Sequence, residues 1–207
     1  MKKLIYSSFL AEKSTSKKIA YIALFTALST VSNMILEARI LDVQFSLTIT
    51  VSFLSGVFLG PVFGFLSGAL SDFIGYAVNS WGQLYMPWVG ISTGGFAAIS
   101  GILFFKKSEK PSTAYIKAVI FSVLSLLICT VAINSTGFYF FNKLSGFQKP
   151  FYDFVESITG KRYGSYFFYL IYRLFIKGQI FNSLFNYVLI FLLIPLLKKL
   201  PITKNLI

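Results

Sequence analysis

The sequence predicts an all-α polytopic membrane protein with six transmembrane helices, built as one membrane domain over residues 1–207. Two compositional facts and one pattern predict it. Hydrophobic residues make up 56% of the chain and charged residues 13%, against about a quarter charged in soluble domains. Mean hydropathy is +0.73, and 24 Phe and 12 Tyr add apolar surface that a soluble 23.2-kDa sphere could not hide. The pattern is six apolar runs separated by Gly, Pro and Lys, most of them near the roughly 20 residues that a spanning helix needs.

The first run extends from about Lys18 to Leu36. The second is short, about Leu47 to Leu59. Gly60-Pro61 punctuates it, and the third covers about Val62 to Val78. The fourth runs from about Trp88 to Phe105, where Lys106, Lys107, Lys110 and Pro111 stop it. The fifth covers about Ala114 to Phe138, and the sixth about Tyr169 to Leu197, closed by Lys198 and Lys199. Residues 140–168 read as the longest connection, an extracellular loop that mixes Gly, Pro, charges and aromatics and lies partly on the membrane surface. Residues 1–17 read as a polar, basic cytoplasmic segment with no convincing cleavage site after the apolar run that follows.

Charge orients the bundle. The formal net charge is +12, from 19 Lys+Arg and 7 Asp+Glu. With both termini cytoplasmic, the inner segments hold Lys2, Lys3, Lys13, Lys17, Lys18, Lys106, Lys107, Lys110, Lys117, Lys198, Lys199 and Lys204. The outer segments hold Arg39, Lys143, Lys149, Lys161 and Arg162. That asymmetry follows the excess of basic residues on the cytoplasmic face of a cell membrane. It also accounts for the positive charge without nucleic acid as a partner, since no aromatic-basic RNA module is visible.

Catalysis has few candidates. There is no His and one Cys, Cys129, in an apolar run. His-based triads, metal clusters and an intrachain disulfide are excluded. Gly160-Lys161 lacks the earlier glycine of a P-loop. The expectation is neither an enzyme nor a cofactor carrier.

The candidate functional residues lie toward the outer end. Asp72 is the one acid inside a clear span, and a carboxylate at that depth rarely faces lipid. It reads either as a ligand-binding group or as an ion-pair partner for Arg39 or Arg173. Asn79 lies seven residues further on the same face. In the following connection, Tyr85 and Trp88 suit stacking on a flat heterocycle, and equally an interfacial aromatic belt. Asn134 begins an Asn-Ser-Thr cluster that reads as facing an internal cavity. Gln179, Asn182 and Asn186 form a second polar stripe. Arg173 and Lys177 lie on another face, where long stems could reach a cavity mouth and meet a carboxylate. In the first run, Ala20, Ala23 and Ala27 share a face with Thr30. Small residues let another helix approach closely, whether within this chain or in a partner. Gly56, Gly60, Gly64 and Gly68 recur every fourth residue and read as a turn at Gly60-Pro61 flanked by tight helix packing.

These segments together resemble the substrate-binding S component of an energy-coupling factor (ECF) vitamin transporter. Ala20-Tyr21-Ile22-Ala23-Leu24-Phe25-Thr26-Ala27 carries the AxxxA docking pattern. Phe58-Leu59-Gly60-Pro61-Val62-Phe63-Gly64 through Ser71-Asp72-Phe73-Ile74-Gly75, then Asn79-Ser80-Trp81-Gly82 and Tyr85-Met86-Pro87-Trp88, is similar to the family's GP-to-Asp-Gly stretch. Asn134-Ser135-Thr136 and Tyr172-Arg173 complete the likeness, which is greatest to the folate-specific family. Asn134-Ser135 stands where Asn-Thr is usual there, Trp88-Val89-Gly90 where a Pro-Gly-Phe stretch is commoner, and Ser80 where Pro is usual after Asn79. The resemblance implies an outward-facing pocket for folate, with Asp72, Asn79, Tyr85, Trp88, Asn134, Arg173 and Lys177 as candidate ligand contacts. It implies docking through Ala20, Ala23 and Ala27 on a transmembrane coupling subunit that carries two cytoplasmic ATPases, and toppling within membrane lipid to release the ligand. S components for queuosine precursor, pantothenate or thiamine share much of this scaffold and are the alternatives, with a membrane assembly factor as a different class.

Overall fold

The structure is a computed structural model that describes residues 5–34, 37–40, 43–78, 84–105 and 111–199. After a short α1 (Ser8–Ala11) comes α2 (Thr15–Met34), then a hairpin of β1 (Glu37–Ile40) and β2 (Val43–Ser46). The strands are antiparallel, with Glu37 opposite Ser46 and Ile40 opposite Val43. Next come α3 (Thr48–Leu59), α4 (Pro61–Val78) and α5 (Pro87–Leu103). Helix α6 is α-helical over Pro111–Leu124, π-helical over Ser125–Ser135 and α-helical again over Thr136–Ser145. Helix α7 (Lys149–Thr159) follows. Helix α8 is α-helical over Tyr166–Ile171 and π-helical over Tyr172–Ile176, and α9 spans Gln179–Lys199.

The fold is all-α apart from the hairpin, which the apolar runs did not predict. Among the described residues, three helices are long and apolar enough to cross a membrane: α4, the stretch Ser112–Ser145 of α6, and α9. Helices α3, α5 and α8 are apolar but shorter. Helix α2 has 20 residues, with Lys17 and Lys18 near its start. The sixth expected run is two helices rather than one. Gly178, at φ 72°, breaks it between α8 and α9, a backbone conformation that an L side chain adopts at a cost.

Residues 140–168, expected as a loop, are largely helical. The Gly and Pro that suggested a loop have narrower roles. Gly146 and Gly160, at φ 94° and 70°, end α6 and α7. Pro150 lies in the first turn of α7, where its missing N–H costs nothing. What holds α7 is its apolar face. Phe151 and Val155 are buried in a second core with Tyr169 and Tyr172.

The main core lies among α3, α5, α6 and α9. Phe53 meets Phe104 and Phe121 edge-on, at 5.1 Å each, and Ile190 and Ile194 are fully buried beside them. Glycines allow the close approaches. A Cβ on Gly64 would lie 2.9 Å from the Gly56 Cα, and one on Gly68 would lie 2.9 Å from the Gly94 Cα. The Gly60-Pro61 turn is tied to the chain start, where the Ser7 N–H donates to the Leu59 carbonyl at 3.2 Å and its hydroxyl to that of Phe58. The Lys198 ammonium lies over Tyr115 at 4.9 Å, and the Lys117 ammonium over Phe104 at 5.7 Å. Gly101 packs on Pro61. These contacts place Ser7, the Gly60-Pro61 turn and Lys198 at one end of the bundle. The hairpin and the polar residues below occupy the other.

Candidate ligand-binding cavity

At the hairpin end the helices enclose a cavity of about 230 Å³. Helix α2 supplies Asn33, β2 supplies Ser46, and α3 supplies Thr48 and Ile49. Asp72 comes from α4, and Val89, Ser92, Thr93 and Phe96 from α5. Helix α6 adds Thr130, Asn134 and Phe138, α8 adds Arg173, and α9 adds Gln179 and Asn182.

Arg173 is held in a fixed posture. Its Nη2 donates to Asn134 Oδ1 at 2.8 Å, and its guanidinium carbon lies 3.9 Å from the Phe138 ring centroid, a cation–π contact. Its Nε is buried with no acceptor. Among the described residues the ion pairs are those of Arg162 with Asp153 and Glu156, so Arg173 has no carboxylate partner there. Both members of the Asn134–Arg173 pair lie on π-helical turns. The wider ladder shows in bonds five residues apart: Lys177 N to Tyr172 O at 2.9 Å, and Ser135 Oγ to Thr130 O at 2.7 Å. Such turns are frequent at functional sites.

Asp72 faces the cavity from another wall. The Tyr85 hydroxyl lies beside its carboxylate. Burial first, and then the nearby carboxylate, push the Tyr85 phenol above its ordinary value. Gly90 makes this approach possible, since a Cβ there would lie 2.9 Å from the Tyr85 hydroxyl and 3.2 Å from Asp72 Oδ2. Asp72 does not pair with Arg173, so that ion-pair reading is not met. The Arg39 side chain lies outside the described residues.

The remaining walls are tied by amides. Asn186 is fully buried. Its Oδ1 accepts from the Thr50 N–H at 3.0 Å, and its Nδ2 donates to the Ser46 carbonyl at 2.7 Å. Asn182 Oδ1 accepts from the Ser46 N–H at 2.9 Å. The polar stripe of α9 thus clamps the hairpin and the start of α3 beside the cavity.

Of the candidate ligand contacts read from the sequence, Asp72, Asn134 and Arg173 line this cavity, together with Gln179 and Asn182 of the polar stripe. Tyr85 reaches it through Asp72. Trp88 turns toward α6 instead, packing against Gly137 and against the Phe138 and Phe141 rings at 5.7 and 6.0 Å. The aromatic rings on the cavity wall are Phe96 and Phe138. Lys177 is exposed, with its ammonium 5.8 Å from the Tyr172 ring, and does not line the cavity. Asn79 lies outside the described residues. Asn33, Thr48, Ser92 and Thr130 were missed, being isolated polar residues in apolar runs with no motif around them.

Ala20, Ala23 and Ala27 are all exposed on α2. Ala23 and Ala27 line an apolar groove of about 650 Å³ between α2 and α4, with Ile22, Leu70 and Ile74; Ala20 does not. Thr26 on the same helix faces inward and donates to Ser67 Oγ at 3.0 Å.

Fold and cavity together are those of a helical integral membrane protein with a partly polar cavity between its helices. The chain belongs to the family described as ECF-type riboflavin transporter, S component, which matches residues 13–199. Its fold and family are those of the vitamin-binding subunits of transporters. The crystal structure of FolT bound with folic acid is similar in fold, with a TM-score of 0.56 at 18% identity over 87% of this chain and 93% of that one. No curated protein matches the sequence.

Proposed function

We propose that this S component binds a folate-type vitamin, with the pteridine ring against Asp72 and the anionic tail drawn toward Arg173. One observation carries the reading: Asp72 and Arg173 face the same cavity and do not pair. Opposite charges left apart in a desolvated site suit a ligand with N–H donors at one place and acceptor or anionic atoms at another. A 2-amino-4-oxopteridine with a glutamate tail has both. The cavity of about 230 Å³ is below the roughly 300–1,000 Å³ that encloses a drug-sized ligand. It suits a fused bicycle whose tail leaves through the mouth. The likeness to FolT carries the fold, and the choice of ligand rests on the charged pair.

Delivery follows the family pattern. The exposed Ala23 and Ala27 groove docks on a transmembrane coupling subunit that bears two ATPases. The cavity end faces outward, both termini face the cytoplasm of a cell membrane, and the subunit tilts in lipid to release its ligand. Lys177, exposed near the cavity end, serves at most as a peripheral attraction for the tail.

Riboflavin is the second reading, favoured by the family's description. Its isoalloxazine has one ring N–H between two carbonyls and no amino group. A carboxylate such as Asp72 would meet one donor and oppose two acceptors. Mass spectrometry of small molecules that co-purify with the detergent-solubilised protein tests the choice. A folate is the expected finding, and riboflavin, queuosine precursor, pantothenate or thiamine in its place would overturn the proposal.

A further inference from the structure

Asn33 is the polar side chain that α2 contributes to the cavity. Its Oδ1 accepts from the Thr48 hydroxyl at 2.7 Å. With its oxygen toward Thr48, the amide presents its two N–H groups elsewhere. The Asn33 Nδ2 is buried and finds no acceptor among the described residues. A buried donor without an acceptor is costly, and an acceptor atom of a bound ligand would remove that cost.

Asp72 lines the same cavity and is an acceptor. Together the two side chains offer one donor and a pair of carboxylate acceptors. The edge of a 2-amino-4-oxopyrimidine ring offers the complement: an exocyclic oxygen, a ring N–H and an exocyclic amino group in a row. We propose that Asn33 is a specificity-determining residue whose Nδ2–H donates to the exocyclic oxygen of the ring that Asp72 holds by its N–H edge. The inference rests on the pteridine reading of the cavity and adds to it a direct contact with the exocyclic oxygen itself. In a 4-amino analogue the oxygen is replaced by a donor and the adjacent ring nitrogen loses its hydrogen, so the edge facing Asp72 loses a donor as well. Two N–H groups then face each other and the Asn33 amide stays unsatisfied, a mismatch that binding sites use to reject a close analogue.

The test is titration calorimetry of the purified protein with folic acid and with aminopterin, which carries 4-amino in place of 4-oxo. The wild type should bind folic acid at least about tenfold more tightly, the order expected for one buried hydrogen bond gained or lost. Asn33→Ala should cut that ratio about tenfold, leaving the share set by the ring N–H at Asp72. Asn33→Asp keeps the shape and the oxygen that accepts from Thr48 but replaces the amide donor by an acceptor, so it should lower the ratio further than Asn33→Ala does. A ratio unchanged from wild type in either variant overturns the proposal. Equal loss of both ligands in both variants also overturns it, by assigning Asn33 to the fold. A wild type that binds neither compound overturns the pteridine reading itself, and the inference falls with it.

Discussion

Truncating Asn186 to Ala should loosen the bundle at the point where the cavity wall is assembled. The side chain is fully buried and joins three segments. Its Oδ1 accepts from the Thr50 N–H at 3.0 Å and the Thr50 hydroxyl at 2.8 Å. Its Nδ2 donates to the Ser46 carbonyl at 2.7 Å and the Asn182 carbonyl at 2.9 Å. Thr50 lies in the first turn of α3, where backbone N–H groups have no partner within the helix. Asn186 therefore caps α3 from another helix. Polar contacts between membrane helices average about 0.6 kcal/mol, with a maximum near 1.7. Leaving the Thr50 N–H buried without an acceptor adds about 1–3 kcal/mol. The expected loss is about 3–4 kcal/mol, and Asn182→Ala, which spares the cap, should lose about 1 kcal/mol. Unfolding in mixed detergent micelles, followed by circular dichroism, measures both. A loss below about 1 kcal/mol for Asn186→Ala would refute the capping argument.

Ala27→Trp should block assembly with the coupling subunit and vitamin uptake, while the isolated variant still binds its ligand; co-purification and titration report the two separately. Normal assembly would show that the groove is not the docking face. Asp72→Ala should lower folic acid affinity about tenfold or more, against less than about threefold for Lys177→Ala, because a buried hydrogen-bonded group contributes more than an exposed charge. Equal losses in calorimetry would contradict this ranking. Cysteines introduced by Ser14→Cys and Gly146→Cys should label from opposite sides of the membrane, with the buried Cys129 silent, and labelling from one side would contradict the topology.

The sequence made the bundle legible wherever a helix had to be apolar along most of its length. The Gly60-Pro61 turn and the small-residue contacts of Gly56 and Gly64 were also legible, because few residues permit a positive φ or so close an approach. Asp72, Asn134 and Arg173 stood out since charge and amides are rare in such runs, and the fold brings them to one cavity. Other features left no local signal. The π-helical turns at Asn134 and Arg173 depend on tertiary packing that no short pattern encodes. Helix α7 was hidden by Gly146, Pro150 and Gly160, which bound it rather than break it. Trp88 was read by residue type, but its direction depends on a space at Gly137 contributed by another helix. Asn33 looked like one more polar residue at the end of an apolar run, and its importance lies in Thr48, fifteen residues away, holding its oxygen.

Asp72 and Arg173, which do not pair with each other, should together hold a pteridine bearing a carboxylate. Calorimetric titration of the purified wild-type protein with folic acid, and in parallel with riboflavin, tests it most directly. Folic acid should bind saturably, 1:1, and at least about a hundredfold more tightly than riboflavin, equivalent to about 2.7 kcal/mol. Binding of riboflavin with equal or greater affinity would contradict it.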